Sequence, residues 1–485
     1  MAPVTTPLLK SSRRWASHRQ DPWCQVPSLL CLVVGVIGCI LFAVGLPQPP
    51  NFATMVETVA APGPLPVFCD TGFQSSGYIR LPHKVNDHYF YWFFESRNDP
   101  TTDSVVLWLE GGPGTSSMWS LLDCNGPCTI DANLTTSTNP YSWTNNASVI
   151  WLDQPTGVGF SYGVAGDEDA TSDDVGRNIF AFLQGWFKKH PAFQSQPFFI
   201  AGKSYGGHYV PAAAAYIVDH QLNDNDDDAS VVHINLQGIA IGNGLTDTVT
   251  QYPMLVEMAA DPNAYNITLV TPNELKQMRE DANVVAELVK RCQQPNETQA
   301  CLDTDELWDT TLLEPMTTNP TRNQYDFRQL CDPDCDDFGG AKTEAFLNQP
   351  WVRHRLGARK TFSWSNDTLL DAFDVDEEIN AVQYVADVLA RGVRVLVFAG
   401  DADLICDWKG NDAWTKKLQW HGHHEFNAAP VVPLIVDGVW AGDVHATRLL
   451  SFVRVFNAGH MVAKDQPAVA LALINRFLHH ESLDR

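Results

Sequence analysis

The chain is 485 residues long, 45% hydrophobic, and carries a formal net charge of −25. That much apolar material excludes disorder as the main state and is enough for one large domain with insertions. Beyond residue 45 the balance is 28 basic against 56 acidic residues, which disfavours nucleic acid as a partner.

Residues 28–46, SLLCLVVGVIGCILFAVGL, form an uncharged run behind Lys10, Arg13, Arg14 and Arg19. No polar face interrupts the run, so it reads as a secretory targeting segment rather than a core helix. Its length lies between a signal-peptide core and a spanning helix. Two expectations follow: a signal peptide within residues 1–46, cleaved after Gly45, or a retained transmembrane signal anchor that would be the chain's sole membrane attachment. Residues 47–69 read as a linker or N-terminal extension, and 70–485 as the folded domain.

Short β-rich runs recur from residue 78: YIRL, FYWFFES at 90–96, VVLWL at 105–109, SVIWL at 148–152, FFIA at 198–201, LQGIAI at 236–241, VRVLVFA at 393–399 and FVRVF at 452–456. Helical patterns at 172–189 and 207–221 lie between them. This alternation predicts an α/β fold, a mixed, mostly parallel sheet with helices on both faces. About 250–350 the rhythm breaks into a polar, cysteine-bearing helical insertion, read as a lid. Within it Thr271, Pro272 and Glu274 supply an N-cap, a first-turn proline and a capping box for a helix reaching about Arg291. The acidic run at 223–228 reads as a solvated loop. No internal repeat is found.

Five sequons, at Asn133, Asn146, Asn266, Asn296 and Asn366, join the targeting segment in indicating a luminal glycoprotein. Eight of the eleven cysteines fall in the body of the chain, where an oxidising compartment would bond several. Cys292 with Cys301, and Cys331 with Cys335, are spaced for local closure.

Gly202-Lys203-Ser204-Tyr205-Gly206 is a G-x-S-x-G placed after a strand and before a helix, the context of a nucleophile elbow. The same glycine, lysine and serine could end a phosphate-binding loop, but that loop needs glycine at 197, where proline stands. Ser204 is therefore the candidate nucleophile. Its base and acid follow in the order serine, aspartate, histidine. His460 lies past FVRVF, and Asp403 or Asp401 past VRVLVFA, where open parallel sheets place their sites. Gly111-Gly112-Pro113-Gly114 follows VVLWL, and the N–H groups of Gly112 and Tyr205 are the candidate oxyanion hole. His421, His423 and His424 form a cluster without a recognisable ligand set, so no metal is assigned. The fifteen tryptophans read as core and pocket wall.

Together FYWFFESRNDP, LWLEGGPGTSS, NPYSWTNNASVIWLDQPTGVGFSYG, GKSYGGHYVP, IGNGLTD, VLVFAGDADLICDWKGN and AGHMV resemble the serine carboxypeptidase family of the α/β-hydrolase fold, over roughly residues 70–478. The resemblance implies a triad of Ser204, Asp403 and His460, with Cys406 a reduced thiol near the site and Met461 lining the pocket for the leaving residue. It implies release of C-terminal amino acids from peptide or protein substrates with a free C-terminus through an acyl-enzyme, with no cofactor. It also implies a lysosomal or vacuolar lumen, secretion or membrane anchoring being the alternatives. A homodimer is one admissible assembly.

Family members grip the terminal carboxylate beside the glycine equivalent to Gly111 with an asparagine and two glutamates. Those three positions here are Glu110, Cys124 and Lys203. Lys203 and Glu110 are expected to form a rebuilt carboxylate site with a less acidic optimum. Two family cysteines are replaced, at Thr115 and about Ser365, as if one disulfide were lost as a unit. With Cys406 set aside, seven luminal cysteines remain, so at least one must be unpaired or bonded to another chain. Two rival functions keep the fold: an acyltransferase that passes the acyl group to an alcohol, and a protective or scaffolding protein whose hydrolysis is incidental.

Overall fold

The computed structural model describes residues 68–484, apart from 224–230, 332–334 and 336–338. The targeting segment at 28–46 and most of the acidic run at 223–228 lie outside these residues. The transmembrane expectation is corrected: among the described residues no helix is long and apolar enough to cross a membrane. The longest, Pro272–Cys292, carries charged residues along its whole length.

The centre is a ten-stranded sheet. Its strands are β1 (Gln74–Arg80), β2 (His88–Phe94), β3 (Val105–Leu109), β4 (Ser148–Leu152), β5 (Phe198–Ser204), β6 (Leu236–Gly244), β7 (Arg394–Gly400), β8 (Val431–Val436), β9 (Val439–Ala446) and β10 (Leu450–Val455). Their spatial order is β1-β2-β4-β3-β5-β6-β7-β10-β9-β8. The central strands β4, β3, β5, β6, β7 and β10 run parallel, and antiparallel pairs close both edges. This is an α/β-hydrolase-like fold.

Strand β3 shows why the sheet is buried twice over. Val105, Leu107 and Leu109 pack into one apolar cluster, and Val106 and Trp108 into the other, because alternate side chains leave opposite faces. Helices α1 (Ser172–Lys189) and α2 (Gly206–Asn223) cover the first face, and α3 (Pro467–Leu478) the second.

Between β6 and β7 the chain leaves the sheet. Its helices include Pro272–Cys292, whose Thr271 and Glu274 form the expected capping box. A separate core of Tyr252, Leu255, Met278, Val285, Trp308 and Phe327 joins this segment to Leu404 and Cys406 after β7. A small hairpin pairs Arg322–Asn323 with Asp326–Leu330. Cys292 pairs with Cys301 and Cys331 with Cys335, as the spacing suggested, and Cys69 pairs with Cys128. The odd cysteine is Cys124, a buried thiol.

Candidate active site

Ser204 ends β5 with φ of 59°, a left-handed conformation that costs a non-glycine residue energy and occurs where a turn lifts a side chain out of a sheet. The turn is held by its neighbours. Leu245 N–H donates to the Ser204 carbonyl at 3.0 Å, and β5 pairs with β6 up to Ser204 and Gly244. A Cβ on Gly111 would lie 2.6 Å from Tyr205 N and 2.8 Å from Ser204 Cβ. Only glycine admits so close an approach, which brings the Gly111–Gly114 loop against the Tyr205 amide. Tyr205 is buried, and its phenol donates to Asp376 Oδ2 at 2.7 Å.

Two strands further along the same sheet edge, the loops after β7 and β10 bring Asp403 and His460 together. His460 Nδ1 is 2.7 Å from Asp403 Oδ2, and both side chains are buried. That bond turns Nε2 away from the carboxylate and leaves it for another partner. Asp401 is committed elsewhere: it takes the Tyr265 hydroxyl at 2.5 Å and the Asn457 N–H at 3.0 Å, and pairs with Arg454 at 3.3 Å.

Sequence reasoning passed over Asn243, at the end of β6. Its amide nitrogen donates to Asp403 Oδ2 at 2.8 Å, and its oxygen takes the Gly400 N–H at 3.2 Å. The IGNG block held the signal, since a buried asparagine between glycines at a strand's carboxyl end needs partners. Tyr325, in the small hairpin, was also passed over. Its carbonyl takes the His460 N–H at 2.7 Å, while Leu404 N–H donates to Gln324 at 3.0 Å and Phe327 N–H to Ala402 at 3.0 Å. The hairpin thus stitches the two loops that carry Asp403 and His460.

Beside Ser204, Lys203 Nζ lies 2.7 Å from Glu110 Oε1 and 4.4 Å from the centre of the Trp119 ring. Glu110 Oε2 accepts from the Ser120 hydroxyl and from Trp108 Nε1, and Gln154 donates to the Glu110 carbonyl at 3.2 Å. Burial pushes the Cys124 thiol up to about 12, against the pull of Lys203, so this position contributes no charge. Met461 caps the short helix that follows His460, and Cys406 is buried in the core that joins the inserted segment to the loop after β7.

Of the sequon asparagines, Asn133, Asn266 and Asn296 are exposed, and Asn146 and Asn366 half-buried. Asn146 accepts from Asn475 at 3.1 Å, and Asn366 N–H donates to Gly114 at 3.1 Å. His421, His423 and His424 lie at the start of the short helix His423–Ala428, with His423 Nδ1 2.9 Å from the Leu418 carbonyl.

Comparison with known proteins shows the family to which the chain belongs. The family model for serine carboxypeptidase matches residues 66–480. The chain is 39% identical over 435 residues to carboxypeptidase Y homolog A of Trichophyton tonsurans, covering 87% of this chain and 77% of the relative. It is 36% identical over 440 residues to carboxypeptidase Y of Candida albicans, covering 89% and 77%. Among solved structures, the prohormone-processing carboxypeptidase Kex1(delta)p of Saccharomyces cerevisiae superposes with a TM-score of 0.73 at 24% identity, over 84% of this chain and 91% of that one. At that identity the likeness speaks to the fold.

Proposed function

The chain belongs to the serine carboxypeptidase family and is a serine-type carboxypeptidase that acts through an acyl-enzyme; on that premise we propose that Ser204, His460 and Asp403 are its triad. The observation that carries this assignment is the buried 2.7 Å bond from His460 Nδ1 to Asp403. It fixes the tautomer with Nε2 as the base, on the sheet edge where Ser204 is held in its turn.

Ser204 Oγ attacks the last peptide carbonyl as His460 Nε2 takes its proton. The oxyanion forms toward the N–H groups of Tyr205 and Gly112, and the first turn of α2 adds its dipole. His460 then passes the proton to the departing amino acid, and water repeats the sequence on the acyl-enzyme.

The substrate's terminal carboxylate is received by Lys203. An ammonium has three N–H donors. One meets Glu110 and the Trp119 face covers another side, which leaves one for an incoming carboxylate. Peptides and proteins with an open C-terminus are the substrates, and the location is of the secretory, lysosome or vacuole type. The family and the sequons support a luminal site.

A blocked dipeptide and its C-terminal amide, offered across about pH 4 to 8 with Ser204→Ala as control, test both parts. Ser204-dependent release of the terminal amino acid, with the amide a poorer substrate, is expected. Equal turnover of acid and amide overturns the role of Lys203, and turnover by Ser204→Ala overturns the triad.

A further inference from the structure

His208 stands in the first turn of α2 and is 1% exposed. Its ring stacks on that of Tyr205, centroids 4.5 Å apart and planes 8° from parallel. Nδ1 is 2.7 Å from the Leu245 carbonyl oxygen and Nε2 2.8 Å from the Ile379 carbonyl oxygen. Carbonyl oxygens only accept. A neutral imidazole has one N–H and one lone pair, so one of these contacts would set lone pair against lone pair at bonding distance. An imidazolium has two N–H groups and satisfies both.

The two carbonyls are not remote from the chemistry. Leu245 is the residue whose N–H holds the Ser204 carbonyl. Ile379 ends the helix Asp367–Glu378, and Asp376 of that helix accepts from the Tyr205 hydroxyl, the Ser172 N–H and the Ser172 hydroxyl. We propose that His208 is a positioning residue of the acyl-transfer site, acting with both ring nitrogens protonated to tie the turn at Ser204 and Tyr205 to the helix that carries Asp376. This rests on the assignment of Ser204 as nucleophile.

The groups around the ring allow this charge in acid and withdraw it as pH rises. Asp376 faces it, followed in the same helix by Glu377 and by Glu378, which takes the Tyr252 hydroxyl. Beyond Leu245 lies Asp247, bonded to Asn380 and Thr250. The phenols of Tyr205 and Tyr209 are held neutral by burial. Burial draws the ring below its ordinary value, opposed by Asp376 and the two carbonyls, and the helix N-terminus also disfavours a cation. Loss of the proton frees one carbonyl and loosens the turn, so turnover falls on the alkaline side independently of Lys203 and Glu110.

The test is nitrogen NMR of the intact protein labelled with ¹⁵N-histidine, with His208 assigned from His208→Gln or, should that variant not fold, from His208→Asn. Both ring nitrogens should carry protons at acidic pH, one being lost at the midpoint at which kcat for the blocked dipeptide declines. His208→Gln should lack that limb, with kcat reduced roughly 10- to 100-fold and KM little changed, the scale of a lost charged hydrogen bond. A singly protonated ring throughout the active pH range, or a His208→Gln profile superimposing on that of the unmodified enzyme, overturns the proposal. Failure of Ser204-dependent cleavage would instead strike the triad and leave the NMR result standing.

Discussion

Lys203 and Glu110 form an ion pair of 2.7 Å whose side chains are 9% and 2% exposed, on the residue that precedes Ser204. Removing one member strands the other as a buried charge. Lys203→Met should therefore cost roughly 3–5 kcal/mol of stability, and adding Glu110→Gln should recover most of it. In denaturant melts, a double-variant loss equal to the sum of the Lys203→Met and Glu110→Gln losses would show the pair to be uncoupled. The single variant should also raise KM for a dipeptide acid more than for its amide.

If Lys203 receives the substrate carboxylate as proposed, the sign of the charge at 203 should set the pH preference. Lys203→Glu places a second carboxyl against Glu110, and two carboxyls in one buried site must share a proton to admit a third. The optimum for dipeptide hydrolysis should move to more acidic pH. A profile matching that of the unmodified enzyme would refute the role given to Lys203.

Asn243 holds Asp403 by the same oxygen that takes His460 Nδ1, and its φ of 40° makes Asn243→Gly the replacement least strained in the backbone. Without the amide, Asp403 keeps the Ile405 N–H at 3.2 Å but loses its lateral restraint. We expect kcat to fall about 10- to 100-fold with KM little changed, since one hydrogen bond to a charged group is worth roughly 1.5–3 kcal/mol. Equal loss in KM and kcat would assign Asn243 to substrate binding instead.

How much of this was legible in the sequence depends on how local the signal is. VVLWL and SVIWL were read at their true limits because a strand buried on both faces is an unbroken apolar run. The edge hairpin of β8 and β9 was missed: Val431, Val439 and Trp440 are exposed, and Pro433 breaks the strand reading. The elbow at Ser204 was legible because strand, glycines and helix are contiguous. The choice between Asp401 and Asp403 needed the resemblance, since it turns on Tyr265 and Arg454 arriving from far along the chain. His208 and Tyr325 act through main-chain carbonyls, which no side-chain motif records.

Three buried acids make stability pH-dependent. Asp87, Asp153 and Asp407 are pushed up to about 7, burial being the largest cause in each. The folded chain keeps protons that the unfolded chain releases near pH 4, so their stabilisation is complete below about pH 4 and is lost as pH rises to about 7. Each contributes a slope of up to about 1.4 kcal/mol per pH unit. His190, drawn down to about 4 chiefly by burial, works in the opposite sense over an overlapping window. Asp153→Asn should flatten the dependence of the urea midpoint between about pH 4 and 7, and an unchanged slope would remove Asp153 from this account.

The hairpin at Tyr325 ties the segment between β6 and β7 to the loop that carries His460, and Gly459 is where a positioning role for it can be tested. A Cβ there would lie 2.4 Å from the Tyr325 carbonyl oxygen and 2.8 Å from Asp326 Cβ, against backbone that cannot swing aside. Either the hairpin retreats or the His460 loop does, and the hydrogen bond from His460 N–H to Tyr325 is stretched in both cases. A displacement of about 1 Å at a base can cost on the order of 100-fold in rate. Gly459→Ala should therefore depress kcat by one to two orders of magnitude while the protein still melts cooperatively, at a temperature lower by several degrees for a loss of about 1–3 kcal/mol. Wild-type kcat in a destabilised Gly459→Ala would show that the hairpin supports the fold without positioning His460.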